Sequence, residues 1–142
     1  MHKITYSLIV LILSSSMLSC RKNTDSYIIF KNSNYNEIND DDVTVDLNSN
    51  FDLIINSGFP QKNNRPNYFM KINQNMEVLL DDSSQYYYRE SHGWNGPEGV
   101  YTEQVRVLLD FNEDVFNSGD TIQIICNNTN PWIERKKLFI VK

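Results

Sequence analysis

Three observations predict an all-β fold, a two-layer antiparallel β-sandwich. Apolar and polar residues alternate with period two over most of the chain after residue 26, the pattern of strands with one face buried. No segment of useful length there repeats every 3.6 residues, so no amphipathic helix is expected. Turn residues then cut the alternation into seven to nine short runs, the spacing of a sandwich rather than of βαβ units. A small β-barrel or a jelly roll fits the same pattern and is the alternative. A chain of 142 residues makes one domain of this kind.

The runs can be taken in order. Residues 27–31 open the domain. Val43, Val45 and Leu47 then alternate with Thr44, Asp46 and Asn48, and Phe51, Leu53 and Ile55 with Asp52, Ile54 and Asn56. Asn56-Ser57-Gly58-Phe59-Pro60 has the composition of a turn that closes this strand. Residues 67–72, 76–81 and 85–89 are the next candidates. Tyr101, Glu103, Val105, Val107 and Leu109 share one face of a long strand. After Asn117-Ser118-Gly119-Asp120, Ile122, Ile124 and Cys126 share a face, and residues 137–141 close the chain. Asn recurs throughout, and it both tolerates the left-handed conformation and caps turns. One helical turn is expected near residues 35–38.

Residues 1–19 have a basic start at Lys3, an apolar run from Leu8 to Leu13 and small residues at Ser14 to Ser16. These are the parts of a secretory signal, and the apolar run is too short to span a bilayer. The run ends in Met17-Leu18-Ser19-Cys20, which resembles the lipobox of bacterial lipoproteins, with Met17 where that family most often has Leu. The resemblance implies cleavage before Cys20, a diacylglycerol on its thiol, acylation such as palmitoylation of its amine, and anchoring in the cell envelope. Arg21, in place of the Asp that retains such proteins at the inner membrane, implies the outer membrane, facing the periplasm or the surface. Several acyl chains anchor stably where one does not. The expected organisation is a signal peptide (1–19), an acylated Cys20 with a tether (20–26), and the β domain (27–142).

The closing segments, Ser118 to Ile125 and Leu138 to Val141, resemble the final hairpin of immunoglobulin-like domains of secreted bacterial proteins, which implies an immunoglobulin-like sandwich. The paired cysteines and Trp of antibody domains are not in the pattern.

Lys and Arg number 13 against 18 Asp and Glu, a formal net charge of −5. Removing the leader takes away Lys3 and no acid, which leaves 12 basic residues against the same 18 acids. Clustered positive charge, the footprint of nucleic-acid binding, is missing, so no nucleic-acid partner is expected. With Cys20 acylated, Cys126 is the one remaining thiol. It shares a face with Ile122 and Ile124 and is expected to be buried and inert.

His92 is the single histidine after the leader, within a Gly-rich stretch, residues 90–99, that reads as a loop between strands. Glu90, His92 and Trp94 form a candidate ligand-binding group there, and Trp132, at an expected hairpin tip, is a fourth candidate. Tyr86 and Tyr88 should face one way and Tyr87 the other. Neither a nucleophile–base pair nor a zinc motif is present, so no catalytic residues, metal or cofactor are expected. The acidic stretches 39–42 and 81–82 lack the spacing of a calcium loop and read as solvated acids. The basic run 134–137 reads as the solvated edge of a terminal strand. The expected function is a non-enzymatic, membrane-anchored binding module. Its partner is expected to be a protein, as in toxin immunity or envelope assembly. A glycan held by exposed aromatics is the alternative, and a small hydrolase using His92 and Glu90 is the least favoured reading.

Overall fold

The computed structural model describes residues 26–95, 100–129 and 132–142. The expected signal peptide, Cys20, all but Ser26 of the expected tether, and residues 96–99 and 130–131 lie outside them. The described residues form nine strands: β1 Tyr27–Lys31, β2 Asp42–Val45, β3 Asn50–Phe59, β4 Asn67–Ile72, β5 Val78–Leu80, β6 Tyr87–Asn95, β7 Val100–Asp110, β8 Thr121–Thr129 and β9 Trp132–Val141. A single 3₁₀ turn, Lys62–Asn64, interrupts the connection from β3 to β4.

The strands make two sheets, in the orders β1-β3-β7-β6 and β2-β9-β8-β4-β5. This is an immunoglobulin-like arrangement. The first sheet has the ABED order and the second contains the GFC order, with β5 added at one edge and β2 at the other. The second sheet is mixed rather than antiparallel, because β2 runs parallel to β9, from Asp42 opposite Leu138 to Val45 opposite Val141. The chain leaves β1 at the edge of one sheet and crosses to the edge of the other, where it meets the last strand heading the same way.

The alternation read from the sequence packs the two sheets face to face. Leu53 and Ile55 of β3, Val105 and Val107 of β7, and Ile124 and Cys126 of β8 are buried in one cluster with Phe139. Phe139 is the hub at one end. Its ring lies 4.9 Å from that of Phe51 and 6.2 Å from that of Phe111. Asn48 and Asn73 take the left-handed conformation, with φ of 61° and 49°. Each also ties its turn to a distant segment through its side chain. Asn48 accepts from the Glu113 amide at 3.0 Å and Asn73 from the Thr121 amide at 2.8 Å.

Three local expectations are corrected. Asn56 to Phe59 is not a turn: β3 runs through Ser57 and Gly58 to Phe59, paired with Tyr101 to Gln104. Gly58 is there for room. A Cβ would sit 2.2 Å from the Tyr27 ring, which lies across it. No helical turn forms at residues 35–38. Tyr35 has φ of 62° inside a turn closed by the Asn32 side chain, which accepts from the Asn34 and Asn36 amides. Residues 90–95 are not loop. They belong to β6, since β7 extends to Val100 and gives them a hydrogen-bonding partner strand.

Candidate functional site

The site lies at the end of the sandwich where β3 and β6 finish and β7 begins. Tyr101 is the central residue, with Phe59 and Trp94 as its cross-strand neighbours. Its ring stacks on Phe59 at 6.0 Å and tilts against Trp94 at 4.6 Å. Phe59 is buried, while Trp94 keeps 53% of its surface in solvent. A bulge in β6 creates this grouping. The ladder shifts between Arg89 and Ser91, so strict alternation is broken at Glu90. Arg89 and Trp94 then share the inner face, which an unbroken strand would not allow.

Below the rings lies a buried carboxylate. Glu103 shares the inner face of β7 with Val105 and Val107, and its side chain is 1% exposed. Every lone-pair direction it needs is occupied. Its Oε1 lies 2.7 Å from Arg65 Nε and 2.9 Å from Arg89 Nε. Its Oε2 accepts from the Tyr68 hydroxyl at 2.9 Å, and the Tyr68 oxygen lies 3.2 Å from Ser57 Oγ. Arg65 also donates to the Tyr87 hydroxyl at 2.9 Å. A buried charge is tolerated only when paired and hydrogen-bonded in this way.

The network shifts the protonation equilibria of Arg65, Tyr68 and Tyr87. Burial disfavours charge on Arg65, but the hydrogen bond and charge of Glu103 outweigh it and hold the guanidinium pKa above its usual value. Burial pushes the Tyr68 hydroxyl well up, and the Glu103 charge adds to this. Tyr87 is raised by burial and by Glu103 in the same manner. At neutral pH these groups are fixed hydrogen-bond donors and fixed charges. That is chemistry suited to recognition.

Phe59, Trp94 and Tyr101 wall a cleft of about 380 Å³ whose polar side is Arg65, Arg89, Thr102 and Glu103. A smaller cleft of about 180 Å³ lies across the arginine pair, against Leu80, Asp82 and Tyr87.

The expected site residues fall in different places. Trp94 is in the cleft. Glu90 is on the opposite face of the sheet, hydrogen-bonded to the Gln104 amide and 3.1 Å from Arg106 Nε. Arg106 in turn lies 3.2 Å from Asp52. The bulge thus separates Glu90 from Trp94. His92 is opposite Glu103 in the β6–β7 ladder, and its side chain lies outside the described residues. Trp132 begins β9, opposite Thr129, and is 66% exposed on the other sheet at this same end. Tyr87 is buried while Tyr86 and Tyr88 are exposed, as the alternation requires. Cys126 is fully buried, and that burial pushes its thiol well up. In the basic run, Lys137 turns inward and donates to the Asp40 carbonyl at 2.7 Å. Among the described residues, no three His, Cys, Asp or Glu side chains converge as a metal site would require.

Phe59, Arg65, Arg89 and Glu103 were not legible as site residues. One signal was available: Glu103 stands on the apolar face of a strand, and a carboxylate there requires cations from elsewhere in the fold.

Compared with known proteins, the chain matches no protein family and no curated protein.

Proposed function

We propose that the mature chain is a lipid-anchored, non-catalytic binding module of the bacterial envelope, and that its ligand surface is the end of the sandwich carrying Phe59, Trp94 and Tyr101. The observation that carries this reading is the open aromatic cleft backed by the Arg65–Glu103–Arg89 bridge. Small-molecule sites have this make-up, apolar and aromatic walls with a few fixed polar groups. Exposed Trp and Tyr, together with Arg, also dominate protein interfaces. The β3–β4 connection at this end corresponds to one of the loops that immunoglobulin variable domains use for binding.

The position of the anchor supports the same end. The chain enters β1 at Tyr27, opposite Gly58 and beside Phe59. Six residues lie between Cys20 and Tyr27, and the seven steps from one to the other reach at most about 25 Å when extended. An acylated Cys20 therefore holds the cleft close to the membrane surface, where a ligand belonging to the envelope is met.

The test is cross-linked capture from native cells by the anchored protein, Trp94→Ala and Tyr101→Ala. The expected result is a stoichiometric partner or envelope glycan that both variants lose. Unchanged capture by both variants places the binding surface elsewhere and refutes the reading. Cys20→Ala is expected to accumulate as uncleaved precursor, and a variant still cleaved and membrane-bound removes the anchor from the proposal.

A further inference from the structure

We infer that the cleft takes an acidic saccharide. Its sugar ring lies against Trp94 and Tyr101, and its carboxylate or phosphate meets the guanidiniums of Arg65 and Arg89. This rests on the reading of the cleft as a ligand site and adds the chemical class of the ligand.

The first argument is charge. The guanidiniums of Arg65 and Arg89 lie between the two clefts and line both, and they share a single carboxylate oxygen, Glu103 Oε1. Glu103 is the only acid that lines this cleft among the described residues. The other acid near Arg89 is Asp82, at 3.8 Å and 73% exposed, and it lines the smaller cleft on the far side. A solvated carboxylate at that distance neutralises little. The cleft side is left with one uncompensated positive charge.

The second argument is hydrogen bonding. A guanidinium carries about five N–H donors. Arg65 places Nε on Glu103 and donates a terminal N–H to Tyr87, and Arg89 places Nε beside Glu103 and a terminal nitrogen 3.8 Å from Asp82. The N–H groups that remain on the two guanidiniums suit a carboxylate or phosphate. Glu103 and Tyr87 already hold the side chains in place, so little conformational freedom is lost when an anion binds.

The third argument is shape. The half-exposed Trp94 ring is tilted 52° against Tyr101 and offers an apolar face beside the arginines. A pyranose has C–H faces that pack on such a ring and hydroxyls that suit Thr102, and the volume of about 380 Å³ lies at the low end for small-ligand sites. One surplus charge selects one anionic group. A nucleic acid or other polyanion needs a row of cations, and the chain carries −5 overall.

The experiment uses the mature protein with Trp132→Phe, which leaves Trp94 as the only tryptophan of the two in the chain. Glucuronate, glucose 6-phosphate and glucose are titrated at low salt, and Trp94 emission is followed. At least one of the acids is expected to half-saturate at a concentration about ten-fold or more below that of glucose, the size of effect a charge-assisted contact gives. Which acid does so separates a carboxylate from a phosphate ligand. Arg65→Gln leaves Glu103 paired with Arg89, and it should bring the acid to the level of glucose. Arg89→Gln is the parallel variant if Arg65→Gln fails to fold. The inference is overturned if the three sugars titrate alike, if none moves the emission, or if the acid preference survives both variants. Silence from all three sugars, with Trp94-dependent capture in cells, rejects the acidic sugar alone. Loss of both rejects the binding site itself.

Discussion

Glu103→Gln is the substitution that best tests the description of the cleft floor. It keeps the shape of the side chain and removes its charge. Breaking a buried ion pair by deleting one partner costs about 3–5 kcal/mol. Glu103 is 1% exposed, but Arg65 is 38% and Arg89 25% exposed, so water partly solvates the orphaned cations. That screening lowers the expected cost to about 2–3 kcal/mol. The Gln oxygen still accepts from Tyr68 or one arginine, which keeps the loss from rising further. For a domain of this size, the melting temperature should fall by about 8–15 °C. The assay is urea unfolding of the parent and variant, with the slope against denaturant unchanged if the fold is intact. Combining Glu103→Gln with Arg65→Gln should recover part of the loss, with a coupling of about 1 kcal/mol. A cost below about 0.5 kcal/mol, the range of an ordinary surface change, or a coupling of zero, would falsify the account of Glu103 as the buried hub.

Three further outcomes are expected. The Tyr68 and Tyr87 hydroxyls and the Cys126 thiol are all raised by burial, so the folded chain keeps protons that the unfolded chain releases. Their contribution is whole below the ordinary thiol and phenol values, about 9 and about 10. It is lost as pH rises above these, by about 1.4 kcal/mol per pH unit for each group that the unfolded chain alone has ionised. Unfolding midpoints that stay level from pH 8 to pH 11 contradict this. Cys126, buried and raised, should resist a thiol reagent in the folded protein and react only as fast as the chain opens. If Cys20 is acylated as proposed, the chain isolated from its cells should titrate one thiol of the two cysteines in the sequence in denaturant; two thiols mean that Cys20 is not acylated. Finally, Trp94 and Trp132 are the only tryptophans and lie at the end where β1 begins. Lipids brominated near the headgroup should therefore quench tryptophan emission of the anchored protein in vesicles, and emission indifferent to bromination means that this end faces away from the bilayer.

Much of the architecture was legible because a half-buried strand has a fixed period of two. Val105, Val107 and Leu109 on β7, and Ile122, Ile124 and Cys126 on β8, could be assigned to the core from spacing alone, and Tyr87 could be set apart from Tyr86 and Tyr88. The errors fall where a long-range partner overrides a local signal. Gly58 looks like a turn residue, and its real reason is the Tyr27 ring packed across it from another strand. The Gly-rich stretch after Glu90 looks like a loop, yet β7 holds it in a ladder as far as Asn95. Glu90, His92 and Trp94 have the spacing of one strand face. A single bulge turns Glu90 outward to Arg106 and Trp94 inward to Tyr101.

The sequence by itself determined the class of the fold, the burial of Cys126, the opposite facing of Tyr87 to Tyr86 and Tyr88, and the resemblance of the first twenty residues to a lipoprotein signal. Each of these depends on neighbours within a few residues or on the period of a strand. The grouping of Phe59, Arg65, Arg89, Trp94, Tyr101 and Glu103 was decided only by the tertiary structure. These residues come from β3, the β3–β4 connection, β6 and β7, and no local pattern encodes which strands pair or where a ladder slips. The physical reason is that a strand sets only which face a side chain takes, while sheet order, register and one bulge set which faces meet. The buried carboxylate, Arg89 and the aromatic rings became one site when β3, β6 and β7 paired in one sheet, and Arg65 reached them from the connection that leads to the other.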